Sequence, residues 1–186
     1  MNSTLRRRAS AALAIMAALL LIVPAAARAP DFDFPPEVVG FARGPRTDYE
    51  ARAPGYGYSV VYTNGRWKAD VYVYDGGVAL IADGPSSSGV AEQIAQAGGE
   101  IRTLVERGVY RGSTDRGPMR LGGAAGDAVA CRAFTIDRPD LGVTESLLCL
   151  TGLRGKYVKF RLSSPVGTQV SQVEAEQFIA GWLARQ

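Results

Sequence analysis

The chain has 186 residues, of which 47% are hydrophobic, with 21 basic and 18 acidic side chains, two cysteines and no histidine. The missing histidine excludes Ser-His-Asp and Cys-His catalysis and the usual histidine sites for zinc and iron. Four basic residues (Arg6, Arg7, Arg8, Arg28) and no acidic ones precede Pro30, so the chain from Pro30 onward holds 17 basic against 18 acidic groups, a net −1. That balance argues against nucleic acid and against an anionic membrane surface as partners.

The first stretch has the three parts of a secretory leader. Arg6, Arg7 and Arg8 form a basic head, residues 11–23 are an unbroken apolar run, and small residues follow Pro24. The run is too short to span a bilayer, which takes about 20 residues in a helix. Residues 1–29 are therefore expected to be a signal peptide, cut after Ala27 or Ala29, rather than an uncleaved anchor. The expected location is the periplasm, with no stable membrane span once the leader is gone. Roughly 157 residues remain, enough for one domain with a real core. Residues 30–54 read as an irregular lead-in, because Pro35, Pro36, Gly40, Gly44 and Pro45 punctuate them. Residues 55–186 read as a single α+β domain.

Residues 56–74 carry a hairpin signal. Asn64-Gly65 suits a two-residue type I′ turn, which sets Tyr62 against Trp67, Val60 against Ala69 and Tyr58 against Val71. All six then share one face by the two-residue period of a strand, leaving Ser59, Val61, Thr63, Arg66, Lys68 and Asp70 on a wetter one. Residues 78–82 form a further short strand by pattern. A loop rich in serine leads into a helix whose apolar positions are Val90, Ile94, Ala97, Ile101, Leu104 and Val105. Gly98-Gly99 either lets this helix approach a sheet closely or breaks it in two. Residues 109–126 are glycine-rich. Met119 to Leu121 suit a strand, and residues 122–126 read as a flexible turn; they lack the ending of a phosphate loop.

The two cysteines lie in the arms of a second hairpin, 129–151. Antiparallel pairing about Asp140 sets Cys131 against Cys149, Ala133 against Leu147 and Thr135 against Glu145. An exported chain meets an oxidising compartment, so Cys131 and Cys149 are expected to form a disulfide. A redox or catalytic pair would sit close in sequence at a helix start. A turn at 151–155 leads to the alternating strand 156–162, placing Cys149 opposite Val158 and Leu147 opposite Phe160. The arm 144–150 is apolar on both faces, which marks a central strand covered above and below. Ser171-Gln-Val-Glu174 fits a capping box, and Ala175, Phe178, Ile179, Trp182 and Leu183 form the stripe of a closing helix.

No Ser-x-x-Lys, calcium loop or metal-ligand spacing is present, so no catalytic residue, metal or cofactor is assigned. The surface candidate is Arg154, Lys156, Tyr157, Lys159 and Arg161: four cations and an aromatic on one hairpin. They suit an anionic ligand, a lipid headgroup or an acidic envelope protein. A solvated face, or lysines guarding an edge strand from aggregation, accounts for the same pattern.

Gly57-Tyr-Ser-Val60, the run from Asp70 to Asp75 and the run from Leu150 to Arg161 resemble uncharacterised exported proteins of Gram-negative bacteria. The order of elements resembles small exported sandwiches of the PsbP-like kind. That resemblance implies an accessory or binding module rather than an enzyme, and it carries over no functional residue. The expected fold is α+β: an antiparallel sheet of about five to seven strands, an internal and a C-terminal helix packed on it, and one disulfide. The function expected first is a non-enzymatic periplasmic binding or accessory module. A histidine-free hydrolase would need carboxylates or a Ser/Lys pair gathered in a pocket, and a structural envelope protein would need neither pocket nor patch.

Overall fold

A computed structural model describes residues 31–165 and 172–186. The leader expected at residues 1–29 and the capping serine at position 171 lie outside the described residues. Among the described residues the fold is α+β, with one antiparallel sheet, three helices and one disulfide. The strands are β1 (Glu37–Val38), β2 (Phe41–Asp48), β3 (Tyr58–Thr63), β4 (Lys68–Tyr74), β5 (Gly112–Met119), β6 (Ala130–Arg138), β7 (Gly142–Leu153) and β8 (Lys156–Pro165). The helices are α1 (Ser88–Glu106), α2 (Gly123–Ala128) and α3 (Gln172–Leu183). The strand order is β1-β2-β3-β4-β8-β7-β6-β5.

Eight strands replace the five to seven expected. β1 and β2 lie in the stretch expected to be irregular, and β5 occupies 8 residues of the glycine-rich crossing, ending at Met119. Both longer additions lie near the rims of the sheet, and both carry a proline beside a break in register: Pro45 in β2 between Arg43 and Arg46, and Pro118 in β5 just past the break between Asp115 and Gly117. Proline and a bulge are tolerated near a sheet edge, where a missing ladder bond costs little, so their residues lack the usual strand pattern. Two other expectations fail. Residues 78–82 form no strand; Ile81 alone is buried there, and Leu80 is 89% exposed. The turn expected at 122–126 is mostly the short helix α2.

The cysteine hairpin is as expected. Cys131 faces Cys149, Ala133 faces Leu147 and Thr135 faces Glu145. The disulfide joins the two cysteines directly across the strands, with Cα atoms 4.1 Å apart. The next strand is displaced by two residues from the expected pairing: Cys149 faces Phe160, Leu147 faces Leu162, and Val158 faces Thr151. The reason is a tighter turn. Arg154 and Gly155 both adopt positive φ, 53° and 71°, so β7 runs on to Leu153 and pairs with Lys156 across a two-residue turn. β3 and β4 are also displaced by two, with Tyr62 facing Ala69, Val60 facing Val71 and Tyr58 facing Val73. Here Asn64 does not enter the left-handed region. Its Oδ1 instead accepts hydrogen bonds from the Arg66 and Trp67 amides, 3.0 and 2.8 Å, which makes the loop longer. A shift of two preserves which face each side chain takes, so the inward residues are those expected.

The sheet is covered on both sides. α3 and α2 lie on one face, where Phe178, Ile179 and Trp182 close over Tyr62, Val71, Cys149, Phe160 and Leu162. α1 lies on the other. Ser87 Oγ accepts from the Val90 amide at 3.2 Å and starts the helix, and Ala97 and Ile101 pack on Phe134, Ile136 and Leu148. The helix is continuous through Gly98-Gly99. A Cβ on Gly98 would meet the Phe134 ring at 3.6 Å, an ordinary packing contact, so the glycine pair neither breaks the helix nor is required by a closer approach at Gly98. β7 is buried on both faces: Leu147 and Cys149 lie under α3, Leu148 and Leu150 under the α1 side.

Candidate functional site

α1 does not cover the whole of its face. Its buried apolar partners lie on β6, β7 and β8, while on the β4 side Tyr74 packs against it and Tyr72 lines the space beside it. The step between helix and sheet is a groove of about 430 Å³. The two-residue period of the strands decides what faces it. Tyr72 pairs with Lys159, Lys159 with Leu150, Asp70 with Arg161 and Arg161 with Leu148, so each of these pairs sits side by side on one surface. Tyr49 forms a bank of the groove. Its ring lies nearly parallel to that of Tyr72, with centroids 6.4 Å apart, and its hydroxyl shares a 3.0 Å hydrogen bond with Ser59 Oγ. From α1 come Gln93, Gln96, Ala97, Glu100, Ile101 and Leu104.

Lys159 is the unusual residue. It is half-buried, and its ammonium lies 4.8 Å from the Tyr72 ring and 5.3 Å from the Tyr74 ring, a cation–π arrangement with both. The chain has three lysines. Lys68 pairs with Asp70 and Lys156 with Asp75, whereas among the described residues no carboxylate lies within ion-pair distance of Lys159. The undescribed residues contain no aspartate or glutamate. Burial holds the Lys159 ammonium below its ordinary pKa; Glu100 opposes the shift and Arg161 adds to it. Arg161 likewise has no ion pair among the described residues. Its guanidinium donates to the Tyr110 hydroxyl at 3.1 Å. Ser146, 3% exposed, also lines the groove, and its buried Oγ has no hydrogen-bond partner. An unmade bond of that kind costs about 1–3 kcal/mol.

The tyrosines are held by their surroundings. Tyr74 donates to Gln93 Oε1 at 2.8 Å and packs against Tyr157, 5.5 Å between centroids. Burial pushes the Tyr74 hydroxyl above its usual range, with Glu100 and Tyr157 adding to it. Tyr72 is raised in the same way, by burial first and then by Asp70. Both rings stay neutral at any physiological pH and present apolar faces with a fixed polar tip.

The five residues expected to form one patch separate. Lys159 and Arg161 line the groove. Tyr157 is buried among Ile81, Val90 and Leu150. Arg154 turns back to the start of the domain, where its guanidinium reaches the Asp31 carbonyl at 3.1 Å and stands 5.6 Å from the Phe32 ring. Lys156 pairs with Asp75 at 2.6 Å, which lowers the Asp75 carboxyl below its usual range, with the Gly77 amide helping. β8 lies between β4 and β7, so these cations do not guard an edge strand. Sequence reasoning missed Tyr49, Tyr72, Tyr74, Glu100 and Ser146. The alternation in Asp70-Val-Tyr-Val-Tyr74 was the available signal: it sends Tyr72 and Tyr74 to the face opposite Val71 and Val73.

Ser146 and Lys159 both line the groove without forming a pair. Ser146 faces Ser163 and Lys159 faces Leu150, four residues further along β7. At roughly 3.3 Å per residue that is about 13 Å, beyond proton-transfer distance. Among the described residues, no group of three or more Asp, Glu, His or Cys side chains could hold a metal ion. No described helix is long and apolar enough to cross a membrane.

No family model and no curated protein matches the chain. Among solved structures the chain is similar to the Saccharomyces cerevisiae Ran-binding protein Mog1p, at 12% identity over 78% of this chain and 84% of that one, with a TM-score of 0.41. It is also similar to a mutant of protein Mog1, at 14% identity over 78% and 79% of the two chains, with a TM-score of 0.37.

Proposed function

We propose that this protein is a non-enzymatic binding module of the periplasm, and that it takes an anionic ligand in the groove beside α1. One observation carries the reading: Lys159, half-buried and without a carboxylate partner, shares the groove with an equally unpaired Arg161. Desolvating a cation without a counter-charge is costly, and a bound anion supplies what the fold leaves out. The separation of Ser146 from Lys159 favours binding over a Ser/Lys hydrolase. The leader pattern and the disulfide support an exported, oxidised setting, and the PsbP-like resemblance agrees with an accessory role.

Amide chemical shifts recorded while acetate is titrated into the ¹⁵N-labelled protein test this. Perturbations should concentrate at residues 72–74, 97–101 and 159–161, and should vanish in Lys159→Met with Arg161→Met. Shifts scattered over the surface, or unchanged by the double substitution, would refute the groove as the anion site.

A further inference from the structure

The charge and shape of the groove say more than that an anion binds. We infer that it selects a singly charged carboxylate joined to a flat apolar body, and that Glu100 turns doubly charged anions away. The inference rests on the anion-binding reading above and goes further in naming the ligand class and a specificity residue.

Charge comes first. The ionisable groups lining the groove are Lys159, Arg161 and Glu100, with Tyr72 and Tyr74 neutral, so the lining carries a formal +1. A monoanion brings the site to neutrality. A dianion leaves an uncompensated negative charge in a partly dry groove, where Coulomb energies are several times those in water. Asp70 does not alter this count: it faces Arg161 across the ladder but is held by Lys68. Glu100 is exposed and accepts from Gln96 Nε2 at 3.2 Å, which holds it at the rim.

Shape comes second. The walls differ in kind. Tyr72 and Tyr74 supply one, with the Tyr49 ring stacked on Tyr72 and the Lys159 ammonium over both Tyr72 and Tyr74. Ala97, Ile101 and Leu104 of α1 and Leu148 of β7 supply the apolar atoms of the other. A lining of tyrosine rings and aliphatic side chains favours a flat apolar ring packed between them. Lys159 and Arg161 stand two residues apart on one strand face, about 6.6 Å between Cα atoms, so one carboxylate can accept from both. Ser146 adds a hydroxyl without a partner, which a ligand oxygen would satisfy.

Calorimetric titration of the protein, disulfide formed, with four probes at pH 8 tests the inference: 1-naphthoate, 1-naphthyl phosphate (a dianion there), 1-naphthalenemethanol and acetate. Naphthoate is expected to bind at least about tenfold tighter than each of the others. Glu100→Gln should tighten naphthyl phosphate about fivefold, as removal of one nearby charge does at a partly wet site, and leave naphthoate within about twofold. Lys159→Met and Arg161→Met should each weaken naphthoate about tenfold or more. If naphthyl phosphate binds as tightly as naphthoate, charge selection is wrong while the anion reading stands. If acetate matches naphthoate, the flat body is wrong. If no probe distinguishes the parent protein from Lys159→Met and Arg161→Met, both readings fail together.

Discussion

The two faces of the sheet are built differently. Under α3 the core is one continuous cluster, rich in rings: Phe41, Tyr62, Phe160, Phe178 and Trp182 are each at most 1% exposed. Phe178 alone touches the rings of Phe41, Tyr62 and Phe160, at 4.6, 5.3 and 6.5 Å between centroids. Under α1 the apolar residues fall into two small clusters, one around Phe134 and Leu148 and one around Tyr157 and Leu150. The groove with Lys159 and Arg161 opens beside them. One face holds the fold together; the other, only partly covered, leaves room for desolvated charge. A protein this size can keep a costly cation on one face because the opposite face supplies most of the apolar burial, at about 1.5–3 kcal/mol per large side chain.

The largest expected effect would break that asymmetry directly. Phe178→Ala removes a side chain at the centre of the ring cluster and should cost about 3–5 kcal/mol, whereas Ile101→Ala, at the margin of the smaller cluster, should cost about 2–3 kcal/mol. Urea denaturation of the two variants measures the difference. Equal losses, or a larger loss for Ile101→Ala, would mean the α1 face carries more of the stability than its packing indicates.

Much of the α3 face was legible in the sequence, and most of the groove was not. The cysteine register followed from symmetry about Asp140. The inward residues of β3, β4, β7 and β8 followed from alternation, which survives a two-residue slip. The stripe from Ala175 to Trp182 followed from helical period. What failed was local competition. Asn64 was as suitable for capping a loop as for entering a turn, and Arg154-Gly155 formed the tight turn that the sequence advertised at Asn64-Gly65 instead. β2 and β5 carry Pro45 and Pro118, residues that pattern reasoning assigns to loops but that a sheet accepts near its rim. The groove was hidden for a different reason: it joins Tyr49, Tyr72, Glu100, Ser146 and Lys159, five residues from separate elements whose meeting depends on strand order. Adjacency of β4 to β8 places Tyr72 beside Lys159, and no local pattern encodes that.

An intermediate effect should come from Lys159 itself. Lys159→Met removes a desolvated charge while keeping the length of the chain, and should raise stability at pH 7 by about 0.5–1 kcal/mol as it weakens anion binding. The sign of the pH dependence follows from the lowered pKa. Below the ordinary lysine value of 10.5 the folded state binds fewer protons than the unfolded one, so the parent protein becomes more stable as pH rises through that window. The advantage of Lys159→Met should therefore shrink toward pH 10.5. A loss of stability in this variant at pH 7 would show that the ammonium is better solvated in the groove than its surroundings indicate.

The smallest effect belongs to the neighbouring lysine, and it sharpens the distinction between two cations three residues apart on one strand. Lys156 has the partner that Lys159 lacks. Both members of the Lys156–Asp75 pair are about a quarter exposed, so the pair should contribute under about 1 kcal/mol. Asp75→Asn should cost that much at pH 7. The folded-state pKa of Asp75 lies below its unfolded value of 3.8, so the contribution is present above about pH 3.8 and is lost as pH falls through the folded value. Parent and Asp75→Asn stabilities should converge in acid. Lys156→Gln should leave naphthoate affinity within about twofold, where Lys159→Met removes tenfold or more. Equal losses from the two substitutions would show that the ligand senses the summed charge of the hairpin, and would return Arg154 and Lys156 to the site from which the groove separates them.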